Sequence, residues 1–311
     1  METNDPLEVG STFYSEQVKS ALFKMRVQKE AKKLLDTDKL AGVAIPEGVL
    51  ADDPLPPEPP ELIPGILLTH GATGFIGGKE VGKSLCSLEV QHSLVTGEPL
   101  WGAIKPTQLL PKTVHVLAEH ASAVLMGLYQ RTGLSNTGRM RIFGPEHLGA
   151  MKILISNGVR REESVSFYKK LVEGAGLVVF DPLASFIQGQ SAENDNAPMR
   201  NLIDTMIEIA GSTGAACLIL GHQGKPTLFQ GRQIKRTSYA TRGASATEDA
   251  LTAVHYLDKV DGAKIGKREV FTLKPIHYKG FKQPPFKLVR DHETFRHTLL
   301  TKAIELESLL S

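Results

Sequence analysis

From residue 65 onward, short apolar runs alternate with longer segments in which apolar residues recur at helical spacing. The apolar runs that end in polar residues or glycine are ATGFIGG, TVHVLAE, GLVVFD and ACLILG. Each is short enough for a buried strand, and a helical segment separates each from the next. This alternation predicts an α/β fold, in which a mostly parallel sheet is covered by helices on both faces.

The two ends of the chain depart from this alternation. The runs AVHYLDKV, REVFTLKPI and PFKLVRD follow one another closely and predict an antiparallel extension of the sheet. Residues 12–38 keep helical spacing, and six basic residues and one acidic residue lie between Lys19 and Lys33. That pattern fits a solvated helix face, or a helix that docks on a neighbouring subunit or on nucleic acid. The proline-rich segment 46–64 predicts a linker, because proline cannot continue a helix.

These boundaries predict four segments along the chain. They are a basic N-terminal helix over 1–45, a linker over 46–64, a main domain over 65–291 and a C-terminal helix or tail over 292–311.

The composition is that of a globular protein, with 41% apolar and 23% charged residues and a net charge of +2. Cys86 and Cys217 form no C-x-x-C spacing, which predicts two buried thiols in a reducing cytoplasm rather than a zinc site or a disulfide framework. The N-terminus lacks the basic and apolar regions of a signal peptide. No apolar run reaches the roughly 20 residues that a membrane helix needs, so we expect a cytoplasmic protein without membrane contact.

The stretch THGATGFIGGKEVGKS, residues 69–84, contains two overlapping nucleotide-binding patterns. Gly71, Gly74 and Gly77 approach the glycine turn of a dinucleotide-binding fold. That turn requires a carboxylate at the end of the next strand, about 20 residues on, and the next strand ends at Glu119, roughly double that spacing. A Tyr-x-x-x-Lys pair at Tyr278 lies among glycine and proline, where a helix is disfavoured.

The second pattern, G-x-x-x-x-G-K-S, is a phosphate loop and fits its surroundings. It predicts a strand over Ala72–Gly77 and a helix that opens at Lys83. Glycines let backbone amides converge on phosphates, and the helix N-terminus adds a partial positive charge. We therefore expect ATP to bind Gly77, Gly78, Lys79, Glu80, Val81, Gly82, Lys83, Ser84 and Leu85, with Lys83 on the β- and γ-phosphates and Ser84 on Mg²⁺.

Polar residues at the ends of later strands complete a predicted site for ATP hydrolysis. Asp181 ends GLVVFD and is the expected partner of Mg²⁺ through a bound water. Glu119 is the expected general base, because a carboxylate at the mouth of a parallel sheet lies where ligands bind. His222 and Gln223 follow ACLILG and are expected to sense the γ-phosphate.

The segment 222–242 contains five Lys or Arg residues and no acidic residue, with Phe229 and Tyr239 interleaved. Basic residues attract phosphate backbones and aromatic rings stack on bases, so this loop is a candidate contact for single-stranded DNA. A solvated basic loop is the alternative. The expected contacts are Lys225, Arg232, Lys235 and Arg236.

Residues 62–291 resemble the RecA-fold ATPases of the hexameric replicative-helicase type, closest to plasmid RepA helicases and their phage and bacterial relatives. The matching stretches, in the order of the family, are GGKEVGKSLCSLEVQHSLVTGEPLWG, VHVLAEH, LVVFDPLASF with AENDNAPMRNLID, LILGHQGK and TRGASATEDAL. The resemblance implies a hexameric ring that hydrolyses Mg-ATP on single-stranded DNA during replication, in a bacterial, plasmid or phage context. It implies the same roles for Lys83, Ser84, Glu119, Asp181, His222 and Gln223.

The resemblance also implies that an arginine reaches the ATP of the neighbouring subunit, and Arg242 in TRGAS matches it. The chain has no obvious cis arginine near the phosphate loop. The loop interior GKEV is bulkier than is common in the family, and LKPIHYKGF replaces a Lys-x-Asn-Tyr-Gly pattern. The trans-acting residue therefore stays open among Arg242, Lys274 and Lys279. A RecA-like recombinase or recombination mediator and a KaiC-type regulatory module are the alternative functions.

Overall fold

The apolar runs of the sequence form the strands of one large sheet. The computed structural model describes residues 61–134, 137–189, 196–223, 228–229, 232–233, 247, 249–265, 268–278 and 284–300. The chain divides into two units between Pro56 and Pro57, and all the described residues belong to the second, Pro57–Ser311.

The described residues contain sixteen strands and five α-helices. The strands are β1 Glu61–Ile63, β2 Leu67–Leu68, β3 Ala72–Gly77, β4 Thr113–Leu117, β5 Met140–Phe143, β6 Ile155–Ser156, β7 Val159–Arg160, β8 Leu177–Asp181, β9 Ile187–Gln188, β10 Ala216–His222, β11 Leu228–Phe229, β12 Arg232–Gln233, β13 Ala253–Ile265, β14 Arg268–Tyr278, β15 Phe286–Arg290 and β16 His297–Leu299. The helices are α1 Lys83–Thr96, α2 Ser122–Arg131, α3 Pro145–Leu148, α4 Glu162–Leu171 and α5 Asn196–Gly211.

The central sheet has nine strands in the order β16-β15-β14-β13-β3-β10-β8-β4-β5. The strands from β13 to β5 are parallel to one another. The strands β14, β15 and β16 are added antiparallel at the β13 side. This arrangement confirms the predicted α/β fold with a mostly parallel sheet and an antiparallel C-terminal extension.

Helices cover both faces of the sheet. Successive side chains of each strand point to opposite faces, so a strand that is apolar throughout has apolar side chains to bury on both. On β8, Val178 and Phe180 belong to the apolar cluster that includes residues of α4 and α5. Leu177 and Val179 belong to a second cluster, which includes residues of α1. Such continuously apolar strands are typical of a parallel sheet that is buried on both sides.

The sheet extends past the boundary predicted at residue 291. Part of the segment that is predicted as a C-terminal helix or tail, 292–311, forms β16, which pairs with β15 as the last strand of the sheet. Glu89 of α1 explains the position of β16, since its carboxylate accepts hydrogen bonds from the His297 backbone N–H at 2.7 Å and from Trp101 Nε1 at 2.9 Å. Residues 301–311 lie outside the described part of the chain. At the other end, β1 lies within the segment predicted as a linker.

Candidate active site

The carboxyl ends of four parallel strands meet at one edge of the sheet. His222, the last residue of β10, pairs in register with Gly77, the last residue of β3. Leu117 of β4 pairs in the same way with Asp181 of β8. Crevices at this edge of α/β sheets bind ligands, because the loops that follow the strands converge there.

The phosphate loop connects β3 to α1 and depends on glycine at two positions. A Cβ atom on Gly77 would lie 2.3 Å from the carbonyl oxygen of Leu257, so the strands approach too closely for any side chain there. Gly82 has a φ of 95°, which disfavours other residues. It begins α1 without a side-chain cap, so the first amides of the helix are available to an anion.

Lys83 is buried, with a relative residue exposure of 6%. Its Nζ donates hydrogen bonds to the carbonyl oxygens of Gly77 at 3.1 Å and Gly78 at 2.6 Å. Burial lowers the pKa of Lys83 to about 8, although the charges of Asp181 and Glu119 act to raise it. Among the described residues, no carboxylate lies within ion-pairing distance of Nζ. The site therefore holds a poorly compensated cation where an anion is expected.

Ser84 and Asp181 form the part of the site that fits a magnesium ion. The Ser84 hydroxyl donates to Asp181 Oδ2 at 2.6 Å, and the carboxyl is buried. Burial alone raises the pKa of Asp181, but the neighbouring His115 ring, the hydrogen bond from Ser84 and the charge of Lys83 hold it below its usual range. An ionised carboxylate beside a hydroxyl offers the oxygen ligands that Mg²⁺ prefers, so these two residues fit the ion.

Glu119 and His222 also line the site. Ser185 Oγ donates to Glu119 Oε1 at 2.8 Å and holds the exposed carboxylate. Burial, followed by the charge of Lys83, lowers the pKa of His222, whose Nδ1 lies 3.5 Å from Lys83 Nζ. A lowered pKa keeps this imidazole neutral at pH 7, which suits a sensor of phosphate rather than a second cation.

These groups surround one open cavity of about 500 Å³. It is lined by Lys79, Glu80, Gly82, Lys83, Ser84, Leu85, Leu117, Glu119, His120, Leu128, Asp181, Pro182, His222, Arg290 and Phe295. The structure thus brings together the expected phosphate, metal and base residues from β3, β4, β8 and β10.

Other predicted residues are not placed in the cavity. The Gln223 backbone N–H donates to the Gly77 carbonyl at 3.1 Å, but its side chain does not line the cavity. Val81 packs its side chain against the apolar cluster under α1. Lys274 lies on β14 opposite Tyr256. Arg232 is in β12, and its side chain lies outside the described part, as do Lys225, Lys235, Arg236, Arg242, Lys279 and the N-terminal helix.

Six lining residues were not expected from the sequence, namely Leu117, His120, Leu128, Pro182, Arg290 and Phe295. Arg290 corrects the expectation that no cis arginine lies near the phosphate loop, since its Nη1 is 3.4 Å from the position of a Cβ on Gly82. Its guanidinium stacks on the ring of Phe271 and pairs with Glu269. A basic residue at the end of a predicted strand was the available signal.

Phe295 reaches the cavity from the turn between β15 and β16. Its φ of 58° lies in the left-handed region, which is uncommon for a bulky side chain. Asp291 Oδ1 fixes this turn by accepting from the backbone N–H groups of Glu293 and Thr294, both at 2.9 Å. The turn therefore places Phe295 among the residues that line the cavity.

A comparison with protein families shows which family the chain belongs to. The family described as "AAA domain" matches residues 45–227, which is more than half of the chain. No curated protein matches the sequence. Among the solved structures, the chain is similar to a KaiC-like protein of the hyperthermophilic archaeon Pyrococcus horikoshii, with 12% identity, a TM-score of 0.47, and coverage of 77% of this chain and 94% of that one. Within the described residues, no helix has the length and apolar character to cross a membrane.

Proposed function

We propose, on the premise that this chain belongs to the AAA domain family and is a RecA-fold P-loop ATPase, that its cavity hydrolyses Mg-ATP to drive movement on single-stranded DNA. One observation carries the catalytic part. The buried Lys83, the Ser84–Asp181 pair and Glu119 line a single cavity at the carboxyl ends of parallel strands. These are the groups that bind phosphates, hold a metal and accept a proton.

Each group has a task in hydrolysis. Lys83 and the amides at the start of α1 bind the β- and γ-phosphates. Ser84 and Asp181 would hold Mg²⁺, which would supply positive charge beside the phosphate oxygens. Glu119, oriented by Ser185, accepts a proton from the water that attacks the γ-phosphorus. The bond from that phosphorus to the bridging oxygen breaks, and ADP and phosphate leave.

The variant Glu119→Gln tests the catalytic proposal. It removes the base and keeps the shape of the side chain, so we expect ATP affinity close to that of the wild type and a turnover rate lower by about 10²-fold or more. The matched control is Glu173→Gln, which changes an exposed carboxylate that does not line the cavity and should leave turnover unchanged. Normal hydrolysis by Glu119→Gln would show that the base has been assigned wrongly.

The DNA part of the proposal is supported by the sequence, through the basic, acid-free segment 222–242 and the resemblance to ring helicases. Binding to a single strand should weaken with salt, with a log–log slope of about −0.7 for each phosphate contacted. Replacing Arg232, Lys235 and Arg236 with Ala should flatten that slope. A control that replaces the exposed Lys105, Lys170 and Lys287 should not. An unchanged slope in the first variant would place the DNA contact elsewhere.

We further propose that the active assembly is a hexameric ring in which Arg242 completes the neighbour's site. Arg290, the arginine found in cis, is engaged by Glu269 and Phe271, so the transferred phosphoryl still needs a free cation. Subunits with Arg242→Ala and with Lys83→Ala should each be inactive alone. Mixed rings should regain activity where an intact Lys83 meets an intact Arg242. A mixture that assembles and stays inactive would exclude Arg242.

Electron microscopy with ATP and DNA separates the proposed motor from its rivals. Closed rings on DNA support a helicase. Filaments on DNA would support a recombinase instead, and rings that do not bind DNA would support a regulatory ATPase.

A further inference from the structure

A buried polar row lies beside Asp181 and outside the set of residues that line the cavity. His115 of β4 is completely buried, and its Nε2 lies 3.4 Å from Asp181 Oδ2. Its other ring nitrogen, Nδ1, lies 2.9 Å from Nε2 of Gln91 on α1. None of the tasks described for hydrolysis uses this histidine. Burying a polar ring costs free energy unless its nitrogens are satisfied, so its position needs an explanation.

Gln91 determines which ring nitrogen carries the proton. Its side-chain amide nitrogen faces the Ser87 carbonyl at 3.1 Å, and its amide oxygen accepts from the Thr113 hydroxyl at 3.2 Å. Rotating the amide by half a turn would bring two oxygens together at Ser87, which excludes that orientation. The amide nitrogen therefore donates to His115 Nδ1. The neutral ring then carries its hydrogen on Nε2, which faces Asp181.

The contact between His115 and Asp181 is close to a hydrogen bond. At 3.4 Å it is longer than a good N–H···O bond, and Nε2 has no other hydrogen-bond partner among the described residues. A movement of a few tenths of an ångström would complete it. Asp181 Oδ2 would then accept from His115 on one side and from Ser84 on the other. With two donors on one oxygen, the carboxylate cannot rotate without losing both.

We propose that His115 is a positioning residue, which orients the Asp181 carboxylate toward Mg²⁺ and is itself fixed by Gln91. This inference rests on the Mg-ATP chemistry proposed above and adds a second layer of residues to it. Hydrogen-bond partners behind a metal-binding carboxylate commonly change metal affinity by about 10- to 100-fold when they are removed. The row Thr113–Gln91–His115–Asp181 also links the middle of α1 to the residue that completes the metal site.

Two substitutions at position 115 separate positioning from packing. In His115→Gln, the amide nitrogen reaches about as far as Nε2 and keeps a donor toward Asp181. In His115→Asn, the amide reaches only to the level of Nδ1, so it keeps the contact with Gln91 and loses the one with Asp181. Both replace the ring by a smaller polar amide, so loss of ring packing affects both.

The test measures metal affinity apart from turnover. Mn²⁺, as a paramagnetic probe for Mg²⁺, is titrated into each protein saturated with ATP, and the free ion is followed by electron paramagnetic resonance. We expect about 10- to 100-fold weaker Mn²⁺ binding for His115→Asn and binding within about threefold of the wild type for His115→Gln. ATP affinity in EDTA should be the same in all three proteins.

Equal Mn²⁺ affinity in the wild type and both variants would overturn the inference, and so would equal losses in both variants. If the wild type binds ATP equally well with and without metal, both the proposed Mg-ATP chemistry and this inference are wrong. That outcome is seen in the wild type alone, so it is distinguished from a failure of the inference by itself. Should His115→Asn fail to fold, Gln91→Leu gives the same measurement, because it frees the ring to turn. Wild-type affinity in a folded Gln91→Leu protein would then count against the inference.

Discussion

Replacing Lys83 with methionine should abolish ATP binding and make the protein more stable. The side chain is buried with its charge, and no carboxylate of the described residues pairs with it. Methionine fills a similar volume without a charge. The wild type is therefore less stable because it buries a cation that binding of phosphate requires.

The size of the effect follows from the lysine's surroundings. Burial lowers the pKa of Lys83 from 10.5 to about 8, which corresponds to about 3 kcal/mol at roughly 1.4 kcal/mol for each tenfold change in proton affinity. Removing the ammonium group also removes its hydrogen bonds to Gly77 and Gly78, each worth about 1 kcal/mol. The expected net gain is therefore about 1 kcal/mol at pH 7. The lowered pKa belongs to the folded state, so the wild type recovers stability as pH rises from about 8 to 10.5 and the gain shrinks.

Urea unfolding at pH 7 measures the free energy of unfolding, and melting with and without ATP measures binding. ATP at a hundred times its Kd should stabilise the wild type by about 2.7 kcal/mol and should leave Lys83→Met unchanged. The control is Lys79→Met, an exposed lysine of the same loop, which should not change stability. A Lys83→Met protein that is less stable than the wild type by 1 kcal/mol, or that still responds to ATP, would refute the reasoning.

Three further predictions concern other parts of the fold. Phe295→Ala should weaken ATP binding by about 5- to 150-fold, which is the range expected for stacking on one base. Binding of inorganic tripolyphosphate, which has no base, should stay unchanged, and Phe295→Tyr is the control. Calorimetry that shows equal losses of affinity for both ligands would contradict a contact with the base. Burial lowers the pKa of His255 to about 4, so the unfolded chain takes up a proton first as pH falls from 6.5. The free energy of unfolding, measured in urea, should therefore fall by up to about 3 kcal/mol by pH 4. An equal fall in a folded His255→Gln protein would show that other groups cause it. Gly77→Ala should destabilise the protein by about 1–3 kcal/mol in thermal melts, because its Cβ would meet a backbone oxygen, whereas Gly78→Ala, whose Cβ would lie 3.5 Å from Val81, should cost much less.

The sequence predicts those parts of the site that lie within a few residues of one another or at the ends of strands. The motif around Lys83 is contiguous, so its loop and helix follow from local pattern. Asp181, Glu119 and His222 each follow an apolar run, and the rule that parallel strands end at one edge brings them together. The fold class follows from the same alternation.

The parts that the sequence does not predict depend on contacts between distant segments. Arg290 and Phe295 reach the cavity only because the antiparallel strands bring the β15–β16 turn beside Gly82. His115 alternates with apolar residues in β4 and has the pattern of any buried strand position. Its proposed task depends on Gln91, which lies 24 residues earlier in the chain, in α1. Strand β5 is short and lies at the sheet edge, where its half-buried residues give a weak apolar pattern.

The two overlapping glycine patterns of the phosphate loop have different physical origins. In the structure, β3 contains Gly74 and ends at Gly77, and both pair in register with β13, through Val254 and Leu257. A Cβ on Gly71 would lie 2.1 Å from Thr252 Oγ1, and one on Gly74 would lie 2.6 Å from Leu251 Cδ1. The spacing of three therefore follows the close passage of residues 251–257 along β3, not a turn around a dinucleotide. Only Gly77 belongs to both patterns, because there the closely packed strand becomes the phosphate loop.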